Sequence, residues 1–374
     1  MTLKIVIMGL SITSSWGNGH ATTYRALTKA LSDLGHSVTF LERDVPWYRE
    51  HRDLENPEYC RVGLYRSLIE LAHRYSDSVR DADLVILGSY VPDGIAIGEW
   101  LTAGATGITA FYDIDTPVTL AGLDSGGIDY ISPGLIPRFD LYLSFSGGPA
   151  LGIIEDLYGS PLARALYCSA DLRMHAATAA PPRWCLGYLG TYSEDRQPLL
   201  ERLLLAPARE LQDDLFVVAG SKYPDTVRWP DNVSHISHLA PRQHSEFYCS
   251  QRYALNVTRS DMKSLGFSPS VRLFEATACG TPLISDDWPG IETVFSPGSE
   301  ILVASGARDV VQILSEIPDD RRLTIASNAR ARLFKEHTPA HRARQLETYY
   351  HEARARRQSL KSANRRRIEF EEVK

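Results

Sequence analysis

No run of about 18 uncharged apolar residues occurs anywhere in the 374-residue sequence, so nothing in it reads as a membrane-spanning helix. No leader is read at the start either. Met1-Thr2-Leu3-Lys4-Ile5-Val6-Ile7-Met8-Gly9-Leu10 has a short apolar stretch and no cleavage-site pattern after it, the form of a buried strand. Cysteine is scarce: five residues (Cys60, Cys168, Cys185, Cys249, Cys279), with no C-x-x-C pair and no zinc-finger spacing. That argues against a disulfide framework or a structural metal and for reduced thiols in the cytoplasm. The Asn-x-Ser/Thr triplets at Asn232 and Asn256 then carry no meaning as glycan acceptors. A basic excess is missing as well. The net charge of −6 excludes a nucleic-acid binder by whole-molecule electrostatics. Only the end departs from this: residues 351–374 hold eight Lys/Arg and four Asp/Glu, a local +4.

What is present is the composition of a soluble globular protein, 44% apolar, 23% charged and 9% aromatic, at a length suited to two domains. Apolar runs alternate with helical patterns, the signature of parallel sheets covered by helices. The first half predicts strands at 4–10, 37–42, 83–88, 107–112 and 141–145, with a helix over 21–34 that Gly35 stops. Residues 183–193, rich in Gly, Tyr and Pro neighbours, read as an inter-domain connection. The second half predicts strands at 215–219, 235–239, 253–257, 283–285 and 300–303, and helices at 271–279, 307–317, 320–334 and 340–359. The fold class is therefore α/β, two Rossmann-like parallel-sheet domains facing a cleft. They cover residues 1–182 and 183–338, followed by a closing helix over 339–360 and a basic, flexible tail over 361–374. Ligands of such sheets bind at the carboxyl ends of the strands.

Ser268-Pro269-Ser270-Val271-Arg272-Leu273-Phe274-Glu275-Ala276-Thr277-Ala278-Cys279-Gly280-Thr281-Pro282 is the most informative segment. It reads as a helix N-terminus, a short helix, a Gly stop and a buried strand. Ser270 is placed to cap the free amides, and that end suits a phosphate. Glu275, among apolar neighbours, is either a solvent-facing or cap-bonded residue or one that holds a ligand, because an unpaired buried carboxylate is costly. Val217-Val218-Ala219-Gly220-Ser221-Lys222 puts a cation at a strand end, where Lys222, or Arg228 after it, is either solvated or positioned to neutralise a leaving diphosphate. Near the N-terminus, Gly17-Asn18-Gly19-His20 joins the first strand to the first helix. Its glycines permit backbone approach to a ligand, although the spacing is not G-x-G-x-x-G. Asp113-Ile114-Asp115, after the strand ending at Tyr112, is either a turn, an acceptor site or a metal-binding pair.

Glu-Ala-x-Ala-Cys-Gly-Thr-Pro from Glu275 resembles the signature of group-1 glycosyltransferases of the GT-B type. The wider blocks 256–262 and 285–290, with 111–121 and 145–149, resemble the CgeB-like, spore-maturation-type branch. The resemblance covers most of the chain, is most specific in the C-terminal block, and implies that the closing helix over 339–360 packs back toward the N-terminal domain. It implies an enzyme that moves a hexose from a nucleotide diphosphate sugar, foremost a UDP-sugar, to an acceptor hydroxyl. Glu275 would then accept from the ribose hydroxyls. Ser270, Val271 and Arg272 would lie at the diphosphate with Lys222 and Arg228, and residues 235–239 would meet the base through the backbone. His20 would deprotonate the acceptor, with Gly17 and Gly19 forming its loop; from their place at the strand end, Asp113 or Asp115 is the alternative acceptor base. No metal and no cofactor besides the donor are implied. Relatives often carry a second glutamate where this chain has Phe267, which leaves the donor sugar open. Group resemblance favours retention of anomeric configuration, a working His20 base inversion. The acceptor is a glycan, a lipid-linked or a small molecule. The basic tail offers contact to anionic lipid or an acidic partner, though such tails are commonly just solvated. Competing readings are a nucleotide-sugar epimerase on the same architecture and a non-catalytic nucleotide- or sugar-binding protein.

Overall fold

The computed structural model describes residues 2–16, 19–178 and 181–371. The chain divides into two compact units, 1–167 with 340–374, and 168–339. The first holds β1 (Lys4–Met8), β2 (Ser37–Arg43), β3 (Arg61–Tyr65), β4 (Leu84–Gly88), β5 (Ile108–Asp113), β6 (Leu141–Ser144) and β7 (Ala163–Ala165). Their order in the sheet is β3-β2-β1-β4-β5-β6-β7, all parallel. Central strands covered by helices on both faces are predominantly apolar, and β4 and β5 are buried at every residue, Thr109 and Asp113 included. Helix Gly19–Asp33 turns Tyr24, Leu27 and Leu31 into this core, and Gly35 follows it with a positive φ of 88°.

The second unit holds β8 (Trp184–Leu189), β9 (Phe216–Ala219), β10 (Val233–Ile236), β11 (Gln251–Asn256), β12 (Leu283–Ser285) and β13 (Leu302–Val303). Their order, β10-β9-β8-β11-β12-β13, is again all parallel. In both sheets the chain starts in the middle and reverses direction beside the first strand. The switch points lie between β1 and β4 and between β8 and β11, where ligands of open α/β sheets bind.

Three expectations need correction. Residues 183–193 are not a connection: β8 is the central strand of the second sheet, with Trp184, Leu186 and Tyr188 buried. Gly187 serves packing there, since a Cβ would meet the Gln251 side chain at 2.3 Å. The units meet at 167/168, not 182/183, because 168–178 packs on the second unit: Cys168 Sγ donates to Pro269 O, and Ala176 N to Ser245 Oγ. The last helix runs Pro339–Glu371, past residue 360, since no Gly or Pro interrupts it. Strands β3 and β7 were not foreseen; both lie at sheet edges, where apolar patterning is weak. All five cysteines are free thiols. Among the described residues no helix is long and apolar enough to cross a membrane.

Candidate functional site

At the second unit's switch point, helix Val271–Ala278 starts beside the carboxyl ends of β8 and β11. Arg272 Nε donates to Leu189 O at 2.7 Å and Nη1 to Asn256 Oδ1 at 3.0 Å, tying the ends of the two strands together. The guanidinium lies over the Tyr188 ring, 4.6 Å from its centre. Arg272 is only 8% exposed, and among the described residues no carboxylate lies within ion-pair distance of it. A buried cation without a counter-charge is costly, so the site is electrostatically prepared for an anion. Ser270 does not cap the helix as expected. Its hydroxyl donates to Asn256 Oδ1 at 2.7 Å, which leaves the first amides, Val271 among them, without a side-chain cap. Asn256 is positioned in turn by Ser285 and Thr258.

The loop after β9 joins this end of the sheet. Gly190 N donates to Ala219 O at 2.8 Å, Tyr192 N to Ser221 O at 2.9 Å, and Tyr223 Oη to Gly190 O at 3.1 Å. Gly220 has φ of 157°, and a Cβ there would sit 1.9 Å from Gly190 O. Lys222 is exposed with φ of 68°, and Arg228 is exposed farther along the same loop. Trp229 stacks on His235 at 4.7 Å, and Tyr223 packs edge-on against both. Sequence reasoning missed this aromatic group, whose members lack a helical or strand spacing.

Glu275, one turn beyond Arg272, is 6% exposed and is not solvent-facing. Tyr248 Oη donates to its Oε2 at 3.1 Å, and His175 Nε2 lies 3.6 Å from its Oε1. His244 approaches the same carboxylate, and burial holds its imidazole below the ordinary histidine value. His175, His244 and Tyr248 carried no sequence signal, being far apart in the chain and joined only by the fold. Phe267, at the position lacking a glutamate, lines a cavity of about 620 Å³ with Lys263, Asp286 and Glu292.

In the first unit, the β1–helix loop is held from β2. Glu42, fully buried, accepts from Ile12 N at 2.7 Å, Thr13 N at 3.0 Å and Thr13 Oγ1 at 2.6 Å. Gly17 lies outside the described residues, and Gly19 begins the helix, exposed. His20 follows, its ring edge-on to Tyr90 at 5.4 Å, and burial lowers its pKa to about 4. Tyr90, in a left-handed conformation just after β4, donates to Asp115 Oδ2 at 3.1 Å. His20, Tyr90 and Asp115 thus gather at this sheet's switch point. Asp113 lies beneath: its carboxylate accepts from Tyr142 Oη at 2.6 Å, Thr119 Oγ1 at 2.7 Å and Asp115 N at 3.3 Å, and it has no solvent exposure. Burial raises its pKa to about 6.

The glycosyl transferase-like family model matches residues 196–348. No curated protein sequence matches significantly. Solved structures match over nearly the whole chain. Sucrose-phosphate synthase from Thermosynechococcus elongatus is 15% identical with a TM-score of 0.67, over 94% of this chain and 99% of that one. Alr3699/HepE of Anabaena in complex with UDP and glucose is 13% identical, with a TM-score of 0.66 over 92% and 98%. An alpha-glucosyltransferase in complex with UDP-glucose and DNA is 12% identical, with a TM-score of 0.69 over 94% and 100%. At these identities the likeness is one of fold: the two parallel-sheet units have the GT-B glycosyltransferase architecture.

Proposed function

We propose that the chain is a glycosyltransferase of the spore-maturation-type branch that moves a hexose from a UDP-sugar to an acceptor hydroxyl. The observation that carries this reading is the buried, uncompensated Arg272 guanidinium beside an uncapped helix start at a Rossmann switch point. A diphosphate is the anion such a site suits, because the guanidinium and the amides of Val271 and Arg272 offer several donors to its oxygens. The positive charge also stabilises the charge that develops on the leaving diphosphate, with Lys222 and Arg228 as further cations on the β9 loop. Glu275 lies one turn along the same helix, and its carboxylate is suited to accept from ribose hydroxyls.

The acceptor is assigned to the first unit's switch point. There His20 is neutral from pH 5 to 8, because burial favours the uncharged ring, so it can accept a proton without first losing one. Asp115 shares that position through Tyr90. Asp113 is given a positioning role, because its oxygens are already used by Tyr142 and Thr119.

The test is a thermal-shift panel of UDP-, GDP-, dTDP- and ADP-sugars in chelator-treated buffer, with wild type, Arg272→Ala and Glu275→Ala. One sugar nucleotide at 100 times its Kd should stabilise the wild type by about 2.7 kcal/mol, and neither variant should respond at that concentration. No response to any member, or equal responses in all three proteins, would refute the donor-site assignment.

A further inference from the structure

We propose that His175, His244 and Glu275 bind one divalent transition-metal ion, with Zn²⁺ as the best match. Each offers one ligand atom, and these atoms all lie within 4.8 Å of one another. His175 Nδ1 is 3.1 Å from Asp171 O. A carbonyl only accepts, so Nδ1 carries the hydrogen of the neutral ring and Nε2 carries the lone pair. That Nε2 has no hydrogen-bond partner, its side chain is 1% exposed, and it points at Glu275 Oε1 from 3.6 Å. A lone pair facing a carboxylate oxygen is repulsive unless a proton or a metal ion joins them.

The surroundings have the form of an outer shell. Asp171 fixes the His175 ring through the nitrogen turned away from the cluster, and Tyr248 fixes Glu275 through Oε2, leaving Oε1 for the ion. Two imidazoles and one carboxylate are a Zn²⁺ donor set with a fourth position open to water or a ligand oxygen. Mg²⁺ and Ca²⁺ prefer all-oxygen sites. Ligand atoms of a tetrahedral site with bonds of about 2.1 Å stand roughly 3.4 Å apart. The His175–Glu275 pair is near that, and the His244 ligand atom stands within 4.8 Å of both.

This inference goes beyond the donor-site reading and shares only Glu275 with it, so that an ion and the ribose hydroxyls compete for one carboxylate. To test it, the whole protein is freed of metal by chelator and titrated with Co²⁺ without nucleotide. The expected result is one equivalent of Co²⁺ giving visible d–d bands, no thiolate charge-transfer band, and displacement by Zn²⁺. His175→Ala and His244→Ala should weaken Co²⁺ binding by about 100-fold or more, beyond the 10–100-fold typical of losing an outer-shell partner. Cys249→Ser should leave it unchanged. Absence of the bands in wild type, a thiolate band, or unaltered affinity in both histidine variants would overturn the proposal. If the variants fail to fold, the wild-type ring resonances decide: Zn²⁺ must shift those of His175 and His244. Rings that respond to pH but not to Zn²⁺ would make the His175–Glu275 pair a proton-linked ion pair instead. Failure here leaves the donor site standing, because that panel is run in chelator.

Discussion

At the end of β5 the Asp113 carboxyl is fully buried, and the hydroxyls of Tyr142 and Thr119 donate to it without bringing a compensating charge. Loss of hydration outweighs those hydrogen bonds and moves its pKa from 3.8 to about 6. For an acid raised on folding, the native state holds the proton longer than the unfolded chain. Its stabilising contribution is complete below pH 3.8 and is lost as pH rises through about 6. That change is worth roughly 3 kcal/mol between pH 3 and pH 7. Asp113→Asn has no proton to lose there. Urea denaturation of both proteins across this range should therefore show the variant gaining about that much relative to wild type as pH rises. Parallel pH profiles would mean that Asp113 is not strained by burial. His20 shifts the other way for the same cause, and its neutral ring predicts no catalytic pH limb near 6.5 from this residue. The Asp-x-Asp spacing marked Asp113 and Asp115 as a pair of interest in the sequence. It could not separate their tasks, since only the fold puts one under Tyr142 and the other beside Tyr90.

Elements were legible where they are long and uniformly apolar. β1, β4, β5, β9 and β12 lie within two residues of their expected bounds, because a strand covered on both faces needs a continuous apolar run. β8 was hidden by Gly187 and Gly190, which resemble turn signals until the neighbours that crowd them are known. The loop after β9 shows the same limit: Gly220 reads as a simple turn, yet its role is to let two loops touch. With φ of 157° and Gly190 O only 1.9 Å from a hypothetical Cβ, no relaxation of a flexible side chain relieves the clash. Gly220→Ala should cost about 3 kcal/mol or more, at the upper end of overpacking substitutions. Because the displaced backbone belongs to the loops after β8 and β9, sugar-nucleotide affinity should fall as well. Chemical denaturation together with the thermal-shift assay reads both, and a variant as stable as wild type would show that the loops can separate freely.

For the whole molecule, the alternation of strands and helices was enough to anticipate two Rossmann-like sheets, while the placing of the C-terminal helix depended on family resemblance. The physical reason it belongs to the first unit appears only in the structure. Ala343, Leu346, Tyr350 and Ala353 form a stripe of period three to four within the first hydrophobic core. Polar contacts fix the register: Arg164 pairs with Glu352, Tyr349 Oη donates to Ala165 O at 3.1 Å, and His36 Nε2 lies 3.0 Å from Glu347 Oε1. Burying Leu346 and Tyr350 with the two alanines is worth about 5 kcal/mol, as much as a modest domain's entire stability. A chain ending at residue 338 should therefore lose the first unit's cooperative melting and expose apolar surface to a hydrophobic dye. A chain ending at residue 360 keeps the whole stripe, as well as Arg357, which bonds Gly107 O and Asp140. It should melt within about 2 °C of full length. Calorimetry of the three chains separates the cases. If the 1–338 chain kept both transitions, the helix would be an appendage on a finished sheet and its apolar stripe would need another explanation.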